Sequence, residues 1–210
     1  MKLSPDQLES AGYVLMERLD HRELVPFIQT YLKKRTFYSV CYFAANFMAF
    51  GLVVFLFALK ARSPGFDFGD AFGFLSIGIA LTFGLIPLHE MIHALAYRLL
   101  GATQTSFDAD WKKLVFMAVA DRFVADRREF LIVALAPFVV ISTVVLALLP
   151  MAGFYWQLAL AGIFLTHTAC CSGDFGLLSY FAAHRNRAVA TYDDRHNKVS
   201  FFYGFRNGSS

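Results

Sequence analysis

The amino-acid sequence predicts an all-α polytopic membrane protein with four transmembrane helices and a short β-hairpin in a cytoplasmic loop. Hydrophobic residues make up 57% of the 210 residues and charged residues only 17%, whereas a soluble domain has about 25% charged residues. The apolar residues stand in long runs, and a run of about 18 or more uncharged residues is long enough to cross a bilayer. The lipid bilayer is therefore an expected partner. The net charge of +3 does not indicate nucleic acid, because the basic residues lie at the ends of apolar runs.

Residues 1–35 are predicted to form a cytoplasmic N-terminal segment of one or two helices. Ser4 with Gln7 three residues later is typical of a helix N-cap. An apolar stripe at helical spacing follows, formed by Leu8, Ala11, Leu15 and Leu19. Such a stripe suits docking on the rest of the protein and binding to the membrane surface equally well, so both interpretations stay open.

Residues 36–184 are predicted to form the four-span membrane domain. Gly101 is expected to end the second span as a C-cap, and Pro87 is expected to kink that span near its end. The four apolar runs cover residues 37–59, 71–100, 130–149 and 154–183.

The longest polar interruption, residues 102–128, separates the second span from the third. Its segments 105–107 and 114–119 have strand-like composition, which predicts the short hairpin. Residues 185–210 are predicted to be a cytoplasmic C-terminal tail, with one aromatic patch and no recognisable motif.

Basic residues predict the orientation of the spans, because lysine and arginine are enriched in cytoplasmic loops. Lys60 and Arg62 are the only basic residues expected on one side of the membrane. All the others beside the spans fall on the opposite side, which predicts that both termini are cytoplasmic. These are residues 33–35, Lys112, Lys113, Arg122, Arg127, Arg128, Arg185 and Arg187.

The sequence His89-Glu90-Met91-Ile92-His93 lies at the end of the second apolar run and has the spacing of a metal site. Histidines four residues apart on a helix share one face and lie about 6 Å apart along its axis, so both imidazoles can bind one zinc ion. Glu90 is then placed to accept a proton from metal-bound water. The alternative is a pair of buried histidines whose ring nitrogens bond backbone carbonyls.

A catalytic zinc ion takes three protein ligands and keeps one position open. Asp174 is the only carboxylate within the third or fourth run, and an ionisable residue inside a span is a functional candidate. The predicted topology puts Asp174 and His93 in the same half of the bilayer. The alternative is a helix-end carboxylate beside a water-filled cavity.

His167 lies two helical turns before Asp174 on the same face. It is a candidate for a transition-state hydrogen-bond donor or for an alternative metal ligand. The competing interpretations are that it lines the cavity or bonds a neighbouring helix.

These motifs resemble the site-2 protease class of intramembrane zinc proteases. Residues 88–101, with Ala136-Pro137 and Gly173-Asp174 in later spans, resemble more closely a family of small bacterial membrane proteins described as zincin peptidases. The resemblance implies that His89 and His93 bind zinc, that Glu90 is the general base and that Asp174 completes the site. It also implies a bacterial cytoplasmic membrane. Site-2 proteases usually carry an Asn-Pro motif and a Leu-Asp-Gly sequence around the third ligand, whereas this chain has Gly-Asp-Phe-Gly.

The sequence thus predicts a zinc metalloendopeptidase, with one zinc ion, that hydrolyses peptide bonds of membrane-associated protein substrates. Substrate is expected to unwind locally and to pair with residues 102–128 as an added strand. Two other classes stay open, a non-catalytic membrane scaffold that keeps the metal site and a membrane metal-binding or transport protein. The near absence of polar residues from the first and third spans argues against transport.

Overall fold

The computed structural model describes residues 2–110 and 115–205. Most of these residues are helical. The helices are α1 (Leu24–Leu32), α2 (Phe37–Lys60), α3 (Phe68–Leu99), α4 (Arg127–Leu148), α5 (Phe154–Cys170) and α6 (Ser172–Ala183), with short 3₁₀ turns at Pro5–Gln7, His21–Glu23 and Leu149–Met151. The strands are β1 (Tyr13–Asp20), β2 (Thr105–Asp110), β3 (Val115–Ala120), β4 (Ala125–Asp126), β5 (Val189–Asp194) and β6 (Val199–Phe205).

Three helical segments are long and apolar enough to cross a membrane, namely Phe37–Lys60, Phe68–Leu99 and Arg127–Met151. The pair α5 and α6 is a fourth candidate if it counts as one span. Large apolar side chains cover the outer faces of these helices, as at Phe47 and Leu99, where more than three quarters of the side-chain surface is exposed. Such surfaces suit contact with lipid, and the fold is consistent with an integral membrane protein.

The fourth apolar run is not the continuous helix that the sequence predicts. It breaks at Cys171, and α5 and α6 are bent by 41° relative to each other. Serine and glycine directly after the break have weaker helix propensity than the preceding apolar residues. A Cβ at Gly176 would stand 2.7 Å from Ile28 Cγ2, so the small residue lets α6 approach α1 closely. The prediction of four spans is therefore not confirmed; the helices provide three spans or four.

The all-α prediction is also wrong, because the terminal segments and the short strand β4 form a four-stranded antiparallel sheet in the order β1-β6-β5-β4. Ser4 and Gln7 do form a capping box, but it caps only one 3₁₀ turn. Gly12 then turns the chain at φ +87°, and residues 13–20 are a strand instead of the predicted helix. Pairing with the aromatic-rich β6 overrides the local helical spacing.

Residues 185–205 of the predicted tail hold β5 and β6, and residues 206–210 lie outside the described residues. The core under this sheet combines Leu24 and Ile28 of α1, Tyr180 and Phe181 of α6, and Phe202 of β6. The rings of Tyr180 and Phe202 lie 4.7 Å apart between centroids. The sheet is therefore attached to α1 and α6.

The predicted hairpin is confirmed as β2 and β3, which pair antiparallel with Phe107 opposite Ala118. Residues 111–114, which include Lys112, Lys113 and the predicted strand residue Leu114, lie outside the described residues. The hairpin contacts α3 near the end that carries the two motif histidines.

Close helix packing through glycine gives a first prediction. A Cβ at Gly78 of α3 would overlap the Ala159 carbonyl of α5. We expect Gly78→Leu to destabilise the folded protein by about 1–3 kcal/mol, since the helices must separate. Gly73→Leu on the same helix is the control, because a Cβ there meets nothing within 4 Å. Thermal unfolding in detergent measures both variants, and equal shifts would contradict the packing described here.

Candidate metal centre

Helix α3 carries the three motif residues His89, Glu90 and His93 within about one turn. The Nε2 atoms of His89 and His93 lie 3.1 Å apart. Glu90 and His93 are both less than one tenth exposed. The helical spacing thus brings two imidazole nitrogens to one point inside the protein.

Asp174 reaches the same point from the first turn of α6. Its Oδ2 lies 3.4 Å from His89 Nε2 and its Oδ1 lies 3.2 Å from His93 Nε2. A carboxylate is favoured in the first turn of a helix by the free backbone N–H groups there. The bend at Cys171 thus precedes the turn that contributes the third group.

The donor atoms fit a zinc ion. Two ligands about 2.0–2.1 Å from tetrahedral zinc are separated from each other by about 3.3 Å, and the three atom pairs here are separated by 3.1–3.4 Å. His93 Nδ1 donates a hydrogen bond to the Val133 carbonyl at 2.9 Å, so Nε2 of the neutral ring presents its lone pair. Lone pairs that converge in this way suit a cation between them.

His167 of α5 stands behind His89. Its Nε2 lies 3.2 Å from His89 Nδ1, and only 2% of the residue is exposed. When His89 offers Nε2 to a metal ion, its Nδ1–H donates to His167. The structure therefore places His167 on the far side of the His89 ring from Asp174. Cys171 Sγ lies 3.9 Å from His167 Nε2, so His89, His167 and Cys171 form a second and looser group of potential ligands.

The hairpin lies against Glu90. The Ala118 N–H donates to Glu90 Oε2 at 2.6 Å. Each strand of a two-stranded pair has one edge bonded to its partner and one outer edge. The Ala118 N–H bonds Glu90 and not β2, so the outer edge of β3 faces the metal centre. The carboxylate of Glu90 is thereby held in one orientation.

Three cavities reach Glu90, and one of about 280 Å³ lies beside His89 and His167. A cavity of about 140 Å³ contains the metal-centre residues and extends under the sheet to Thr191, Asp193 and Ser200. A second cavity of about 410 Å³ lies between α3 and the hairpin. Its lining is apolar apart from Glu90 and Asp108, and consists of Phe83, Ile86, Pro87, Met91, Phe107 and Phe116.

Tyr97, Asp193 and Ser200 line the first cavity and were missed by the sequence analysis. Tyr97 stands four residues after His93, so helical spacing alone would have placed it on the same face. Asp193 and Ser200 carry no such signal, because only the pairing of β5 with β6 brings them here. Ser200 Oγ donates to Asp193 Oδ1 at 2.6 Å. Burial raises the pKa of the Asp193 carboxyl, and the Ser200 hydrogen bond opposes that rise.

Zinc binding tests the role of Asp174. We expect Asp174→Ala to weaken zinc affinity by about tenfold or more, because one of three converging donors is lost. Zinc content at buffered free zinc measures this for the purified protein in detergent. Asp70→Ala is the control, since Asp70 also lies in the first turn of a helix but is exposed. Unchanged zinc content would favour the helix-end carboxylate interpretation.

The contact between His89 and His167 gives a separate prediction. We expect His167→Ala to weaken zinc affinity by about 10–100-fold, because His89 loses the acceptor that fixes its ring. His167→Gln restores a side-chain acceptor and is expected to recover part of the affinity. His196→Ala removes an exposed histidine and serves as the control. Equal zinc affinity in all three variants would rule out this positioning role.

Comparison with known proteins gives one match. The model of the family described as "Putative zincin peptidase" matches residues 82–189, which is half of the chain and includes all five candidate residues named above. No curated protein and no solved structure matches the chain significantly. The family description indicates a zinc metallopeptidase, in agreement with a donor set that fits zinc. The chain belongs to the family of zincin peptidases that this description names.

Proposed function

We propose that this protein is a zinc metalloendopeptidase that hydrolyses peptide bonds of membrane-associated polypeptides. One observation carries the proposal: two imidazole nitrogens and the Asp174 carboxylate converge within 3.1–3.4 Å of one another beside a buried glutamate. This combination suits hydrolysis, because it joins a metal site to a general base.

His89, His93 and Asp174 would hold the ion. A zinc ion bound there would act as a Lewis acid, which would polarise a carbonyl and lower the pKa of water towards about 7. Glu90 takes the proton from the attacking water and returns it to the leaving amine. The Ala118 N–H holds the Glu90 carboxylate in place for both transfers. His167 positions His89 and has no direct contact with substrate in this scheme.

The substrate is proposed to bind in an extended conformation. A membrane helix hides its carbonyls in hydrogen bonds, so a scissile peptide must first unwind. The edge of β3 that faces Glu90 offers backbone groups for an added strand. The apolar cavity between α3 and the hairpin supports a membrane-associated substrate, since it leads from apolar surface to the general base.

We also propose that α5 and α6 together form a fourth span. Strands β1 and β6 pair directly, which supports a topology with both terminal segments on one side of the membrane and an even number of crossings. The basic residues flanking the spans favour the cytoplasmic side for both termini. The resemblance to bacterial proteins favours the bacterial cytoplasmic membrane.

Glu90→Gln tests the proposal. The glutamine keeps the size of the side chain but cannot accept the proton. We therefore expect peptidase activity to fall by about 10²–10⁴-fold. Mass spectrometry of new peptide termini in membranes, compared between cells with wild type and cells with Glu90→Gln, identifies the cleaved bonds. Zinc content is expected to stay at the wild-type level.

Glu9→Gln is the control, since Glu9 is exposed near the N-terminus. Full activity of Glu90→Gln would show that the assigned base is wrong. Rescue of a deletion phenotype by Glu90→Gln would instead favour a scaffold. Zinc flux into liposomes without any cleavage would favour a transporter.

A further inference from the structure

We propose that the end of the metal-centre cavity formed by Tyr97, Thr191, Asp193 and Ser200, here called the Asp193 subsite, binds a lysine or arginine side chain of the substrate. This inference rests on the proposed function and names a class of substrate for it. The substrate would be a polypeptide with a basic residue close to the scissile bond.

The Asp193 subsite is continuous with the metal centre. Its four residues line the same cavity as His89, Glu90 and Asp174. Tyr97 stands one turn beyond His93 on α3, about 6 Å further along the helix axis. A side chain of the length of lysine or arginine can span that distance from a backbone held beside Glu90.

The charge around Asp193 is negative. Ser200 Oγ donates to its Oδ1 at 2.6 Å, which fixes the carboxylate without neutralising it. The other groups that act on it are His21 and a second carboxylate, Asp121. A cation in this place gains from both carboxylates.

Two basic side chains near the subsite have anionic partners of their own. Lys198 Nζ pairs with Asp108 at 2.9 Å, and Arg122 pairs with Asp6 at 2.7 Å. These two cations already have anionic partners, and the basic group beside the subsite is His21, whose Nε2 lies 3.2 Å from Ser200 Oγ. A lysine or arginine of the substrate would add a positive charge there.

Tyr97 provides an independent observation. The residue is more than nine tenths buried and lines the cavity, yet its hydroxyl makes no hydrogen bond with any residue in the described part of the chain. It lies within electrostatic range of Asp193, Asp174 and Glu90. The hydroxyl is open to the cavity and is therefore available for a hydrogen bond with a ligand there. A phenolic oxygen accepts N–H groups from guanidinium or ammonium and can donate to Asp193 at the same time.

Two of the cavities that reach Glu90 therefore differ in character. The one between α3 and the hairpin is apolar, and the one under the sheet ends in carboxylates. A substrate that fits both has an apolar segment on one side of the scissile bond and a basic residue on the other. Such sequences occur where a transmembrane helix meets the cytoplasm.

Matched peptides test the inference. They are built around a bond that wild type cleaves and Glu90→Gln does not, and they carry either arginine or its neutral isostere citrulline at each of the three positions on either side of the bond. At one position we expect wild type to prefer arginine by about 10–100-fold in kcat/KM. Asp193→Asn is expected to bring that ratio close to one. Asp194→Asn is the control and should keep the wild-type ratio, since Asp194 bonds Asn197 in an exposed turn.

The outcomes separate the two proposals. Equal cleavage of arginine and citrulline peptides by wild type at every position would overturn the Asp193 subsite and leave the peptidase intact. A preference for arginine that persists in Asp193→Asn would overturn the subsite as well. Failure of zinc-loaded wild type to cleave any peptide would overturn the proposed function itself. If Asp193→Asn is inactive on all peptides, Tyr97→Phe replaces it in the test. A lower arginine-to-citrulline ratio of kcat/KM in Tyr97→Phe than in wild type would support the Asp193 subsite, and an unchanged ratio would overturn it.

Discussion

The convergence of three Lewis bases in one buried place is the constraint on which the rest of the site depends. Nitrogen atoms of His89 and His93 and the carboxylate of Asp174 lie 3.1–3.4 Å apart, and lone pairs at that separation repel unless a cation lies between them. The surrounding contacts serve this arrangement. Val133 and His167 take up the outer nitrogens of the two rings, and the break at Cys171 comes directly before the turn that carries the carboxylate.

Local sequence spacing made part of the metal centre predictable. The i, i+4 pair His89 and His93 follows from helix geometry alone, and Asp174 was found because a carboxylate in an apolar run is costly without a function. The β2–β3 hairpin followed from its composition. The same reasoning failed for residues 13–20, where an apolar stripe at helical spacing forms a strand, because the pairing partners lie 179 to 192 residues away in β6. Asp193 was missed for the same reason, since nothing near it in the sequence indicates the cavity.

The four-stranded sheet provides the polar end of the cavity at the metal centre. Without β5 and β6, the cavity at Glu90 would be bounded mainly by apolar helices and the hairpin. Its two ends would then be similarly apolar, and a bound peptide could lie in either direction. The sheet brings the carboxylate of Asp193 to one end, while Phe83 and Phe116 line the apolar cavity on the other side. Small apolar substrates would use one side only, whereas an extended polypeptide spans both. The architecture therefore supports the proposed peptidase over a carrier of free metal ions.

X-ray absorption at the zinc edge of the purified protein tests the central claim most directly. The arrangement of His89, His93 and Asp174 predicts two imidazole nitrogens and one carboxylate oxygen at about 2.0–2.2 Å, with a further light atom completing the coordination. A sulfur ligand at about 2.3 Å would contradict it, because that distance would place the ion with Cys171 and His167 instead. Protein that is purified with zinc present and holds no ion would contradict it as well.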